Sequence, residues 1–305
     1  MSPWRVPEFE LGAYRFPRLF LGDRGFLRRY GSQLSLDDIT RLMAVAVTDA
    51  GVGLAVSDEA TVAAASRIRD ACGATVMLHT QDLLSVASQG NVRRCAATLR
   101  AHVLRRVPNE LLRNDRLVGG FLEAGREVPP YGDDELAAAA PDEAALAFAV
   151  TLIEQARPAI MTMGGDWLDL CLCTGRPEPI ETVARTLRAA AGEQTPLLAF
   201  SYLGAILCPD MTQAPGHTNG LAIPVNLLGD GMLPDRAGFL AWTRRAGGPI
   251  LAVHALALGC IPVAPALDFV WNHVGVPLAV VGASTDAHIT TLIGATRRVL
   301  GRTDC

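Results

Sequence analysis

The chain has 305 residues, half of them hydrophobic, with 6% aromatic residues and a formal net charge of −4. Charges spread along the whole length exclude a nucleic-acid footprint, and the longest apolar runs are strand-sized, so none reads as a membrane span. All 27 basic residues are arginine, and a permanently protonated guanidinium cannot form a Schiff base, which excludes lysine-dependent aldolases and pyridoxal-phosphate aldimines. Seven scattered cysteines and an N-terminus without an apolar h-region predict a cytoplasmic protein with free thiols.

In chain order, residues 1–16 read as a polar and aromatic lead-in, a plug beneath the strands. Arg18–Gly22 is a first strand, and Leu34–Ala50 an amphipathic helix with Ser35 as N-cap before Asp37 and Asp38. Gly51–Ser57 (GVGLAVS) and the helix Glu59–Cys72 make the second unit. Ala74–His79 (ATVMLH) is the third strand, with an arginine-rich helix over Asn91–Val107. Leu117–Glu123 (LVGGFLE) is the best fourth strand, although its two glycines weaken the pattern. Ala124–Pro141 reads as a long loop over one end of the fold. Helix Glu143–Ala156, strand Pro158–Met163, helix Ile180–Ala191 and strand Pro196–Ser201 come next. The stretch from about 203 to 233 contains GHTNG and reads as a long lid-like insertion. Helix Asp235–Ala246, strand Pro249–His254, helix Pro262–His273, strand Pro277–Gly282 and helix Asp286–Leu300 close the chain.

Eight alternating strand–helix units without a dividing linker predict an α/β fold, a (β/α)8 TIM barrel forming one domain over residues 1–305. An open doubly wound sheet is the rival, but no GxGxxG follows the first strand.

Barrel chemistry gathers at the C-terminal ends of the strands, which here offer Asp23, Ser57-Asp58, His79, Glu123, Asp166, Ser201-Tyr202, His254 and Ser284-Thr285. Strand parity groups Met77 with His79 and Ala252 with His254. If those faces line the barrel, both imidazoles point into the mouth as an acid–base pair, with Glu123 or Asp166 orienting them or ligating a divalent metal. No HxH, HExxH or CxxC spacing supports a metal. Glycines before Asp166 and Trp167 permit close backbone approach, with Trp167 placed to stack on a ligand. Gly282-Ala-Ser284-Thr285 opens onto a helix and suits a phosphate or carboxylate. Asp23, Asp58 and Tyr202 complete the candidate binding residues. Cys171, Cys173, Cys208 and Cys260 read chiefly as packing or isolated thiols, and His102, His217, His273 and His288 as structural or surface residues.

Over about its last fifty residues, at VVGASTDAHITTLIGATRRVL, the chain resembles the aldo-keto reductase superfamily. There the last strand and helix carry a similar G-[AT]-S-x-x-x-x-[IL] run. The resemblance implies that this turn embraces the adenosine phosphate of a nicotinamide cofactor such as NADP. It also implies an Asp–Tyr–Lys–His tetrad, which this sequence does not keep. Asp58 matches the aspartate, SDEATVAAA supplies no tyrosine, His79 stands at or near the lysine, and the expected fourth strand ends in Glu123 rather than histidine.

Three functions stand on this sequence. The first is a metabolic enzyme using histidine–carboxylate chemistry on a small anionic substrate: a lyase, dehydratase, isomerase or non-Schiff-base aldolase, with or without a metal. The second is an NAD(P)H-dependent oxidoreductase of aldo-keto reductase-like type, with Tyr202 as an alternative proton donor. The third is a non-catalytic barrel that binds a ligand or partner, a second copy of the chain among them.

Overall fold

Helix ends in this chain are written in their capping residues. In the computed structural model, which describes residues 4–28, 31–80, 83–85, 92–208 and 215–301, those residues set the outer layer. Ser35 and Asp38 form a reciprocal capping box at the start of Leu36–Ala50, and Asp58 and Thr61 do the same for Glu59–Cys72. Both helices stop at a left-handed glycine, Gly51 and Gly73. Asp142, Asp235 and Thr285 cap Glu143–Ala156, Arg236–Arg245 and Asp286–Leu300 with their side chains. None of the described helices is long and apolar enough to cross a membrane.

Inside this layer, eight parallel strands close into a barrel. They are β3 (Leu19–Gly22), β4 (Gly53–Val56), β5 (Val76–Thr80), β6 (Ile160–Gly164), β7 (Leu197–Phe200), β8 (Gly220–Pro224), β9 (Ile250–Val253) and β10 (Leu278–Gly282). β10 closes on β3 with Gly282 opposite Gly22. One residue set fills the interior: Phe20, Ala55, Met77, Ile160, Leu198, Phe200, Ala222, Leu251 and Leu278. Their alternates face the helices, as the two-residue period of a strand demands. Phe20 lies across Gly53 so closely that a Cβ there would stand 2.5 Å from the ring. The lead-in folds as a hairpin, β1 (Glu8–Leu11) with β2 (Tyr14–Pro17), whose Phe9, Leu11, Tyr14 and Phe16 pack onto the interior cluster from below.

Two elements differ from the expected order. LVGGFLE is not a strand: Gly119–Glu123 is a short helix, and the fourth barrel strand is β6. Val118 and Leu122 of this run are buried on the helix, as a strand would bury them, and run length alone does not separate strand from helix. The missing strand is β8, inside the stretch read as an insertion from 203 to 233. Its five residues GLAIP are all buried, but glycine and proline at its ends look like loop punctuation. Residues 209–214 of that stretch, and Asn91 at the expected helix start, lie outside the described residues.

The segment after β5 is the largest departure from a plain barrel. Helices Val92–Val103, Asn109–Asn114, Gly119–Glu123 and Asp133–Ala137 build a second core around Leu99, Val103, Leu112, Val118 and Leu122. That core continues into Leu170, Leu203 and Leu233 from the barrel's C-terminal loops. Asp115 ties it across the mouth. Its carboxylate accepts the N–H groups of Leu117 at 2.9 Å, Val118 at 2.7 Å and Gly231 at 2.5 Å. Arg116 donates its N–H to Asp230 at 3.4 Å and its guanidinium to Cys260 Sγ at 3.2 Å, and Arg106 reaches the Ile206 carbonyl at 3.0 Å. These contacts reach the loops after β7, β8 and β9, so residues 92–137 roof the C-terminal mouth.

Candidate functional site

Under that roof the exits of β5, β7 and β9 bring four rings into one row. Met77 faces the interior, so His79, two residues on, does too. Its Nδ1 lies 2.6 Å from Thr162 Oγ1 on the paired strand β6. The His79 ring meets Phe200 edge-on at 5.2 Å, Phe200 meets Tyr202 at 4.9 Å, and Tyr202 meets His254 at 5.8 Å. The two histidines therefore share a mouth, joined through Phe200 and Tyr202.

His254 reaches that place by a different route from the expected one. Leu251 belongs to the interior cluster, while Ile250 and Ala252 face the helices, so strand parity would send His254 outward. Strand β9 ends at Val253, and His254 takes a left-handed backbone with φ 54°, which turns its ring back over Tyr202. Ala257 at φ 44° and Leu258 at φ 59° continue the strained turn. Such residues cost about 1–2 kcal/mol each and tend to mark ligand-handling loops. Burial pushes the His254 imidazole down to about 4, with the Arg24 charge adding to the effect, so the ring is neutral at pH 7.

Asp169 is the main polar residue that sequence reasoning does not single out. It lies on helix Asp166–Cys173, directly after β6, and is 1% exposed. Ser201 donates its hydroxyl to one carboxyl oxygen, and the Tyr202 N–H donates to the other at 3.0 Å. Burial raises its pKa to about 8, against the lowering effect of the Ser201 hydrogen bond. A lone acid within the apolar run WLDLCLC is the signal that points to it. Asp166, half-buried at the start of the same helix, adds a like charge that raises Asp169 further.

Other expected site residues have structural duties. Asp23 is buried, and one of its oxygens accepts the Ser57 N–H at 2.6 Å, the Ser57 hydroxyl at 2.9 Å and the Thr61 hydroxyl at 2.8 Å. It pins the exits of β3 and β4 to the second helix, and burial raises its pKa. Asp58 caps that helix. Glu123 ends no strand: it closes a helix of the roof and pairs with Arg100 at 3.2 Å and Arg126 at 3.7 Å. Trp167 is not available to stack on a ligand, because it is 1% exposed within the outer core. Its indole N–H has no acceptor among the described residues. Cys171, Cys173 and Cys208 are buried, which pushes each thiol up to about 12 and keeps them from serving as nucleophiles.

The Gly282–Thr285 turn keeps its access. Gly282 and Thr285 are exposed, and Thr285 accepts the His288 N–H at 3.2 Å. Ser284 Oγ lies 3.4 Å from His288 Nδ1. The loop carrying Arg24 presses on this turn: a Cβ on Gly25 would stand 2.9 Å from the Ser284 Cβ. Arg24 thus belongs to a loop touching the turn, and its charge acts on His254. Arg41 neutralises Asp286 in the first helical turn at 2.8 Å. An anion fits such a turn, and the ring row suits a flat heterocycle, so the residues present fit a nicotinamide dinucleotide. Among the described residues, no three His, Cys, Asp or Glu side chains come together as a metal site.

No family model and no curated protein matches the sequence. Among solved structures, the chain is similar to a Pseudomonas aeruginosa protein described as an aldo-keto reductase, with a TM-score of 0.58 at 14% identity, covering 98% of each chain. It is also similar to the thermostable aldo-keto reductase Tm1743, solved with the inhibitor epalrestat, with a TM-score of 0.54 at 11% identity over 95% of this chain and 94% of that one. At these identities the likeness is one of fold, and the fold is the closed (β/α)8 barrel.

Proposed function

We propose that this chain is an NAD(P)H-dependent oxidoreductase acting on a small carbonyl compound or its alcohol, with Tyr202 as the proton donor. The observation that carries the reading is the Phe200–Tyr202–His254 stack at the mouth of a barrel of this fold. The likeness to aldo-keto reductases favours it over lyase or isomerase chemistry. So does the position of Glu123, which sits in the roof, paired with arginine, rather than beside the histidines.

Ser284, Thr285 and Arg24 would hold the phosphate end of the dinucleotide, and the ring row its nicotinamide. The chemistry a bound nicotinamide supplies is a hydride for a carbonyl carbon. Tyr202 gives its hydroxyl proton to the carbonyl oxygen, so the carbonyl becomes an alcohol. His254, neutral at pH 7, does not compete as a cationic acid. The roof covers the reacting groups in part: His79, Tyr202 and His254 are half-buried.

Calorimetric titration with NADPH tests the reading. Wild-type protein is expected to bind at about micromolar concentration, and Ser284→Asp to lose binding through charge repulsion. Tyr202→Phe is expected to keep binding and to lose about 10²- to 10⁴-fold in carbonyl reduction. Absence of NADPH binding by the wild type sinks the proposal.

A further inference from the structure

We infer that Asp169 is a positioning residue that holds the Tyr202 phenol in place at the barrel mouth through the Ser201–Tyr202 backbone. The inference rests on the oxidoreductase reading for the use made of Tyr202, whereas the contacts themselves stand on the geometry alone.

The sheet ends here in two bonds. Gly165 donates its N–H to the Phe200 carbonyl at 2.8 Å, and Ser201 donates to the Ala222 carbonyl at 3.0 Å. Beyond them, β6 leaves the barrel. Gly164 and Gly165 take φ values of 128° and 102°, and helix Asp166–Cys173 begins. The Tyr202 N–H then meets the Asp169 carboxyl, at 3.0 Å, where a strand carbonyl would otherwise stand. The same carboxyl receives the Ser201 hydroxyl, whose oxygen in turn accepts the Leu203 N–H at 3.1 Å. Three consecutive residues of the β7 exit are thus tied to one side chain from the β6 exit.

This carboxyl is buried, and a buried acid is costly unless its hydrogen bonds repay it. Apolar neighbours on the same helix, Leu168 and Leu170, show that packing alone is served by leucine. What the acid adds is direction: it fixes the Tyr202 backbone, and the rings of Phe200 and His254 then fix the phenol. An acid that must meet a carbonyl oxygen needs placement to a fraction of an ångström.

Tyrosine labelled with ¹³C at Cζ gives a direct test, because the chain holds four tyrosines and Tyr202→Phe assigns the signal of interest. Asp169→Leu keeps the approximate volume and removes both polar atoms, so neither the Ser201 hydroxyl nor the Tyr202 N–H keeps its partner. The Tyr202 signal is expected to move, while those of Tyr14 and Tyr131 stay in place. Ser201→Ala, which leaves the Tyr202 N–H bond intact, is expected to produce a smaller shift in the same signal. It decides the matter should Asp169→Leu not fold. A Tyr202 signal unmoved in the folded variants overturns the inference, whatever NADPH titration shows. A moved signal supports it, and failure of the wild type to bind NADPH then counts against the oxidoreductase reading alone.

Discussion

The neutral His254 beneath the roof carries a stability consequence that can be measured without knowing the substrate. Its imidazole is lowered from 6.5 to about 4 by burial and by Arg24. Between those two values the unfolded chain binds a proton at this site and the native chain does not, so native stability rises with pH across the window. The difference of about 2.5 pH units, at roughly 1.4 kcal/mol per unit, sets an upper limit of about 3.5 kcal/mol. His254→Asn removes the titration while tolerating the left-handed backbone. Urea unfolding of both proteins from pH 4 to pH 7.5 is the assay. The wild type is expected to lose up to about 3 kcal/mol relative to the variant as pH falls from 6.5 to 4, and to lose little between pH 6.5 and 7.5. Histidine C2–H signals followed over the same range should show one midpoint near 4. A stability gap that stays constant with pH, or a His254 midpoint near its ordinary 6.5, would mean that the ring is wet and the mouth open, and the roofed site would be refuted.

Asp115→Ala removes the acceptor of three backbone N–H groups and is expected to cost about 3 kcal/mol. Hydrogen exchange should speed up across residues 92–137 and leave the barrel helices protected, and uniform loss of protection would contradict a separable roof. Gly164→Ala places a Cβ 2.3 Å from the Phe200 carbonyl oxygen at φ 128° and should cost more than about 4 kcal/mol. Gly165→Ala, at φ 102° with its nearest neighbour 3.9 Å away, should cost about 1–2 kcal/mol; thermal unfolding in the reverse order would refute the described β6 exit. Trp167→Phe should leave NADPH affinity unchanged and stability within about 2 kcal/mol, since lost volume is offset by removal of an indole N–H that has no acceptor among the described residues. A weaker NADPH isotherm would restore Trp167 to the binding site.

The outer layer is legible because its ends are chemical: Ser35 with Asp38, Asp58 with Thr61, and glycines at 51 and 73 name the first two helices within two residues. Short apolar runs are not legible in the same way. LVGGFLE and GLAIP both combine buried aliphatics with glycine, and only tertiary context separates them. At Gly119 a Cβ would stand 1.9 Å from the Leu112 carbonyl oxygen, so the glycine permits two short helices to meet there. GLAIP is drawn into the sheet from its flank, where Asn219 exchanges hydrogen bonds with Leu197 at 2.7 and 2.9 Å. Neither contact has a local trace in the sequence.

The site shows the same division, with one consequence for its chemistry. His79 follows from parity, whereas His254 reaches the mouth through a backbone turn that parity does not encode. Asp169 looks like any acid on a short helix until the exit of β7 is placed beside it. Reassigning the fourth strand to β6 also moves that strand's mouth position from Glu123 to the Thr162–Gly164 end. There Thr162 meets His79, so the third and fourth strands present an imidazole–hydroxyl pair where the resemblance implies lysine and histidine. A chain without lysine has no ammonium with which to charge that corner. The Arg24 charge that acts on His254 comes instead from the exit of β3, which β10 separates from β9. On the proposed oxidoreductase reading, a carbonyl bound against Tyr202 would be polarised without a lysine, with the Arg24 charge acting on the same corner through His254. On that reading the accuracy of Tyr202's placement, and so of its Asp169 tether, would weigh more heavily on the rate than it would beside a lysine.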